Sequence, residues 1–358
     1  MNNKKIAIIT IKDDNNLGNR LQNFAMQNIL EKKGFVVYSV IRRFNYENIS
    51  FFHNVKYKLK FPIFVVLSKF SSSKNKYLRK KNFLLFNRNI KCDKHEIRKK
   101  TNLKKLSNKY DYFVAGSDQI WNPSAFLNNM YVNLLGFTDR NKKIAIAPSI
   151  ALDKLTVEQE TIFKNYLKDF DALSCREEIG STIIENLTGK KCITLIDPTL
   201  MINKFEWMKI SKKCNLKPSK SYVLIYFLAK QSKEIYIRIK KFCSDNNLEI
   251  VDINDSKSKY YFCGPSEFLD LINTCSIVFT DSFHGSIFAY IFEKPLYIFS
   301  RPGCENMNSR ILNLINILHL DNNLVDYNTS FSLNVLYDKS ILMKEQIKFY
   351  EYINKYLK

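Results

Sequence analysis

The chain has 358 residues, 46% of them hydrophobic and 14% aromatic, with 56 Lys and Arg against 34 Asp and Glu. That apolar content excludes a disordered polymer, and at about 150 residues per domain the length predicts two domains with cores of their own. The net charge of +22 is uneven: residues 42–109 hold 20 Lys and Arg against only Glu47, Asp93 and Glu96, a net +17 in 68 residues.

Residues 6–11 are an Ile-rich run, too short for a signal-peptide core, and read as a buried parallel strand. A polar loop follows. Leu21, Phe24, Ala25, Ile29 and Leu30 then recur at helical spacing up to Gly34, and residues 35–40 return as a second strand. Strand, helix and strand within 40 residues predict a right-handed βαβ unit. Further strand-like runs lie at residues 112–115, 144–147, 172–175, 192–196, 222–228, 248–253, 277–280 and 296–299, with amphipathic stretches such as 156–170 and 232–245 between them. This alternation predicts α/β architecture with two doubly wound, Rossmann-like domains. A boundary fits best within residues 203–219, giving a first domain over 1–203, a second over 204–330 and a C-terminal segment over 331–358. In that last segment residues 338–358 read as one helix, packing through Met343, Ile347, Tyr350, Ile353 and Leu357. The basic stretch, about 44–109, reads as a helical insertion in the first domain, entered through a mobile connector at Ser71, Ser72 and Ser73.

No apolar run approaches the roughly 20 residues that a membrane-crossing helix needs; the longest are residues 222–229 and 61–67. The eight cysteines include no Cys-x-x-Cys pair and no His at zinc spacing, so most read as small core residues in a reducing compartment, and no metal site is expected. Glycine-rich nucleotide fingerprints, the P-loop, the zincin helix motif and the hydrolase nucleophile elbow are all missing.

In doubly wound folds ligands bind beyond the carboxyl ends of the strands, so the residues that follow each strand carry the functional signal. After the first strand come Asn15, Asn16, Leu17, Gly18, Asn19 and Arg20; after residues 112–115 come Gly116, Ser117, Asp118, Gln119, Ile120, Trp121 and Asn122. After residues 172–175 stand Arg176, Glu177 and Glu178; after 277–280 stand Asp281, Ser282, Phe283, His284, Gly285 and Ser286. Asp118 and Asp281 equally suit helix caps, Arg176 suits a surface ion pair, and Asp197-Pro198 suits a strand-ending turn. His284 differs. The other histidines, His53, His95 and His319, have no clustered polar neighbours, whereas His284 sits at a strand end and a helix start, where anions are met.

These segments, from Gly18-Asn19-Arg20-Leu21-Gln22 through Gly116-Ser117-Asp118-Gln119-Ile120-Trp121-Asn122, Ser174-Cys175-Arg176-Glu177-Glu178 and Asp197-Pro198-Thr199-Leu200 to Thr280-Asp281-Ser282-Phe283-His284-Gly285, resemble the polysaccharide pyruvyl transferase family. The resemblance implies a GT-B-like fold with a cleft between two domains. It also implies transfer of pyruvate from phosphoenolpyruvate to two sugar hydroxyls as a cyclic ketal, with no cofactor. Such a donor carries a carboxylate and a phosphate and so calls for cations and helix N-termini. On this reading His284 is phosphate ligand and general acid, and Arg176 binds the donor with Ser282, Gly285 and Ser286. Asp118 is the base, and Asn19, Arg20, Ser117 and Gln119 orient the acceptor. Two other readings stay open: a nucleotide-sugar-dependent GT-B-type glycosyltransferase, since fold does not fix function, and a nucleic-acid-binding protein, prompted by the basic segment but lacking any nucleic-acid motif. Phe51, Phe52, Tyr57, Phe61, Phe64 and Phe70 among lysines suit a membrane-surface element holding a cytoplasmic enzyme near an acceptor on a polyprenyl lipid.

Overall fold

The computed structural model describes residues 3–42, 71–94, 96–98, 101–302 and 308–358. Its strands are β1 (Lys5–Ile9), β2 (Val36–Val40), β3 (Tyr112–Ala115), β4 (Lys143–Ala145), β5 (Ser174–Cys175), β6 (Ile193–Thr194), β7 (Tyr222–Tyr226), β8 (Glu249–Asp252), β9 (Ile277–Thr280) and β10 (Leu296–Ile298). All pair in parallel. One sheet has the order β2-β1-β3-β4, and a bridge between Ile144 and Ala172 hands it on to the β5-β6 pair; the other has the order β10-β9-β7-β8. Strands buried on both faces must be apolar throughout, which is why β1 and β7 read as unbroken runs.

The longer helices are α1 (Leu17–Lys32), α2 (Ser71–Phe86), α3 (Val157–Leu167), α4 (Glu178–Thr188), α5 (Lys233–Asp245), α6 (Pro265–Thr274), α7 (Phe283–Ile291), α8 (Asn308–Leu318) and α9 (Lys339–Tyr356). Asn16 caps α1 by accepting from the Asn19 amide at 3.1 Å, and Ser282 caps α7 by accepting from Gly285 at 3.2 Å. One continuous apolar cluster joins α1 (Leu17, Leu21), β7 (Leu224, Tyr226), α7 (Ile287, Phe288) and α9 (Phe349, Ile353). Trp207 lies at its centre, its ring 5.7 Å from that of Phe24 and 5.0 Å from that of Phe288. The two sheets therefore share a core as well as having outer ones.

Three expectations are corrected. The serine tract is not a connector: it is the first turn of α2, which the apolar spacing of Leu78, Phe83 and Phe86 anchors in the shared core. The basic segment is accordingly not an appendage over its whole length. Arg79 is buried and donates from Nη1 to the carbonyls of Ile253, Tyr261 and Cys263 at 3.1, 3.2 and 3.1 Å and from Nη2 to that of Asn15 at 3.3 Å, while its guanidinium lies 4.8 Å from the Tyr261 ring centroid. The third correction concerns α9. Met343, Ile347 and Tyr350 face outward, and the buried face is Phe349, Tyr352 and Ile353 with Leu357 beyond the helix. This helix returns to the first sheet, where Tyr352 Oη donates to the Ala145 carbonyl at 2.7 Å and Gln346 Nε2 to that of Leu200 at 2.6 Å. The aromatic residues from Phe51 to Phe70, and with them the proposed membrane-surface element, lie outside the described residues, as do His53, His95 and Cys304. The seven described cysteines are free thiols, and no described helix is long and apolar enough to cross a membrane.

Arg79 satisfies carbonyls from both halves of the chain. Arg79→Met keeps the apolar stem but leaves those carbonyls without their donor, so we expect a loss of about 2–4 kcal/mol of stability, read as a lower denaturant midpoint.

Candidate active site

In each sheet the chain winds away in opposite directions from its first strand, so the switch points fall between β1 and β3 and between β7 and β9. The segments leaving these four strands are residues 10–16, Gly116 to Asn122, Leu228 to Gln231, and Asp281 to Ser282. They meet because the carboxyl ends of the two sheets face each other: the His284 imidazole, at the start of α7, lies against Gly18 in the first turn of α1. A Cβ on Gly18 would stand 2.1 Å from His284 Nδ1, so glycine is what allows this approach.

At the centre is Asp197, its side chain fully buried. Its Oδ2 accepts from Arg176 Nη1 at 2.8 Å and from Ser117 Oγ at 2.9 Å, and stands 3.5 Å from His284 Nε2. Its Oδ1 accepts from the Thr199 amide at 3.0 Å and the Thr199 hydroxyl at 2.7 Å. Burial alone would raise the Asp197 pKa, but His284, Arg176 and the Thr199 amide outweigh it and hold the carboxyl far below the usual carboxylate range. The same balance acts on Arg176: burial would lower its pKa, and the charges of Glu177, Asp197 and Asp118 push it upward instead. Arg176 Nε also faces Glu177 Oε1 at 3.3 Å, and its guanidinium stacks 4.2 Å from the centroid of the Phe283 ring.

Asp118 sits beside this ion network in a strained backbone, φ 70° and ψ −174°, of a kind that costs about 1–3 kcal/mol and persists where the surroundings over-determine it. Its carbonyl accepts from the Ser149 amide at 2.8 Å, its Oδ1 from the Gln119 amide at 2.9 Å, and its Oδ2 from Asn19 Nδ2 at 2.8 Å. Trp121 is structural: its Nε1 donates to the Asn133 carbonyl at 3.0 Å and its ring packs edge-on against Phe163 and Phe170, which fixes the loop.

Asn19, Ser117, Asp118, Arg176 and His284 are thus brought together. Arg20 is turned aside, its Nε donating to Asn87 Oδ1 at 2.9 Å. Ser282 and Ser286 serve α7 itself, the Ser286 hydroxyl donating to the Ser282 carbonyl at 3.1 Å, and Gly285 is required by Thr280, whose Oγ1 would be 2.4 Å from a Cβ there. Asp281 ties down the segment after β7, accepting from the amides of Leu228 and Ala229 at 2.6 and 2.9 Å.

Three participants were given no site role from the sequence. Asp197, the hub, reads locally as the start of a Pro-Thr turn. Arg301 follows β10, and its Nη2 donates to the Asp281 carbonyl at 3.0 Å; the strand-end rule, applied to that strand, points to it. Arg310 reaches the site from α8, and one turn on Asn313 Nδ2 donates to the Arg176 carbonyl at 3.1 Å while its Oδ1 accepts from the Glu178 amide at 3.2 Å. With its carboxamide oxygen facing Arg310, Gln119 lies 2.6 and 3.1 Å from Nη1 and Nη2. Arg176 Nη2, Arg310 Nε and His284 Nε2 are buried and have no hydrogen-bond partner among the described residues. Buried donors held open in this way suit an anionic ligand.

A family model described as "Polysaccharide pyruvyl transferase" matches residues 16–302. No curated protein sequence matches the chain. Among solved structures, UDP-GlcNAc 2-epimerase from Methanocaldococcus jannaschii is similar at 13% identity and a TM-score of 0.51, over 95% of this chain and 91% of that one. A putative UDP-N-acetylglucosamine 2-epimerase from Listeria monocytogenes is similar at 10% identity and a TM-score of 0.48, over 99% and 90% of the two chains. The fold is accordingly the GT-B-like pairing of two Rossmann-like sheets.

Asp197→Asn removes the counter-charge of a buried arginine, and we expect a loss of about 3–5 kcal/mol near neutral pH in denaturant melts. Because the folded-state pKa of Asp197 is depressed, its contribution is complete above its unfolded value of about 4 and declines as pH falls toward the folded value. The stability gap between wild type and variant should therefore narrow progressively below about pH 4.

Proposed function

The chain belongs to the polysaccharide pyruvyl transferase family and is thus a transferase; on that premise we propose that it moves the pyruvyl group of phosphoenolpyruvate onto two hydroxyls of a sugar, in a bacterial surface polysaccharide or its lipid-linked precursor. The observation that carries this reading is the cationic site around Asp197, where Arg176 and His284 converge with donor atoms still unfilled. The donor is a small dianion-plus-carboxylate, and buried charge-assisted donors are what such a molecule requires.

The reaction needs a proton at the methylene carbon, attack by two hydroxyls at the adjacent carbon, and departure of phosphate with its carbon–oxygen bond broken. Of the two hydroxyl protons, one is balanced by the new methyl group and the other leaves on phosphate. His284 supplies the first proton and then pairs with phosphate, since an imidazole can donate a proton near neutral pH and the Asp197 carboxylate stands 3.5 Å from its Nε2. Arg176, held by Asp197 and Glu177, offers Nη2 to the donor. Asp118, fixed by Asn19 and Gln119, accepts a proton from an acceptor hydroxyl. Gly18 is a positioning residue: it sets how closely His284 approaches Asp197.

Incubation with phosphoenolpyruvate and candidate lipid-linked sugars, read by mass, should show the gain of one pyruvyl group together with released phosphate. Stabilisation by nucleotide sugars without any response to phosphoenolpyruvate would instead favour the glycosyltransferase reading. His284→Ala should lower phosphate release by about 10²–10⁴-fold while the thermal midpoint is retained. Gly18→Ala should lower kcat about 100-fold through displacement of the imidazole, with a smaller effect on KM.

A further inference from the structure

Arg310 is a cation of the cluster that the reaction scheme leaves without a task. It is 6% exposed, and among the described residues no carboxylate forms an ion pair with it. Its Nη atoms face the neutral carboxamide of Gln119, and its Nε has no partner. Arg176, by contrast, has two buried carboxylates, Asp197 and Glu177.

A buried guanidinium without an ion-pair partner is costly, and an anionic ligand would supply the charge it lacks. The surroundings agree. Burial pulls the Arg310 pKa down to about 10, with Arg176 and Arg301 adding repulsion and Glu177 and Asp118 opposing it. Arg310 is also precisely placed by its helix, because Asn313 clamps α8 to the backbone of Arg176 and Glu178. Two unfilled guanidinium edges, Arg176 Nη2 and Arg310 Nε, thus belong to side chains that lie close enough to repel each other.

We infer that Arg310 is a substrate-binding residue that, together with Arg176, holds the carboxylate of the enolpyruvyl donor, leaving the phosphate to His284. The inference rests on the donor reading above and deepens it. It divides the donor's two anionic groups between two parts of the site: the carboxylate oxygens are taken by one open nitrogen from each guanidinium, Arg176 Nη2 and Arg310 Nε, and the phosphate by the imidazole. It also gives the enzyme a means of distinguishing phosphoenolpyruvate from phosphate monoesters that lack a carboxylate.

The test measures binding of phosphoenolpyruvate and of inorganic phosphate to the full-length wild type, Arg310→Met and Arg310→Lys by calorimetry. Arg310→Met should weaken phosphoenolpyruvate about 10- to 100-fold and inorganic phosphate by no more than about 3-fold, with Arg310→Lys in between. The unliganded Arg310→Met protein should melt at or above the wild-type midpoint, since an uncompensated buried charge has been removed. Equal weakening of both ligands, or unaltered phosphoenolpyruvate binding with a lowered midpoint, overturns the assignment of Arg310 and leaves the donor reading standing. Wild-type protein that binds no phosphoenolpyruvate overturns both.

Discussion

The carboxylate of Asp197 is the constraint on which the site depends. It is buried, it is ionised, and it is shared between Arg176 on its own side of the cleft and His284 from the opposite sheet. A charge in that position is tolerable only while Arg176, His284 and the Thr199 donors surround it. The cost of breaking that arrangement therefore links the geometry of the two sheets to the position of one histidine. Gly18 gives the His284 ring the room it occupies, and the strained Asp118 is fixed nearby by Asn19 from the same helix turn.

The shared core gives that arrangement a stiff foundation. Trp207, Phe24 and Phe288 join the halves through ring contacts, and α9 crosses back to the first sheet. Arg79 adds a polar joint by gathering carbonyls from the segment after β8 and from the loop before α1. An extensive apolar junction of this kind restricts relative domain motion, which suits a site whose ion pairs reach across it.

Much of the fold was legible in the sequence because its strands are buried on both faces and so appear as continuous apolar runs between polar loops. The motifs after those strands led to Asn19, Ser117, Asp118, Arg176 and His284 for the same reason: the fold rule places ligands at strand ends. Asp197 and Arg310 were harder to find because their roles exist only after folding. Asp197 meets His284 across 87 positions of sequence, and nothing local distinguishes it from a turn residue. Arg310 stands in an ordinary amphipathic helix. The misread stripe of α9 has a related cause: Met343, Ile347 and Tyr350 and the buried Phe349, Tyr352 and Ile353 both follow helical spacing. Which stripe is buried depends on the neighbour, and here the neighbour is a sheet formed some 200 residues earlier. Ser71, Ser72 and Ser73 were misread because serine is compatible with loops and with helix starts alike, and the anchoring residues, Leu78, Phe83 and Phe86, come later.

The return of α9 also bears on how the protein is made. Ala145 and Leu200 receive donors from Tyr352 and Gln346, so part of the first half's packing is supplied by residues that lie 207 and 146 positions further along the chain. During synthesis the apolar face that Phe349, Tyr352 and Ile353 cover stays open until α9 has emerged. Contacts of such long sequence separation slow folding and expose intermediates to association. The packing around Ala145 and Leu200 is therefore complete only once α9 has docked.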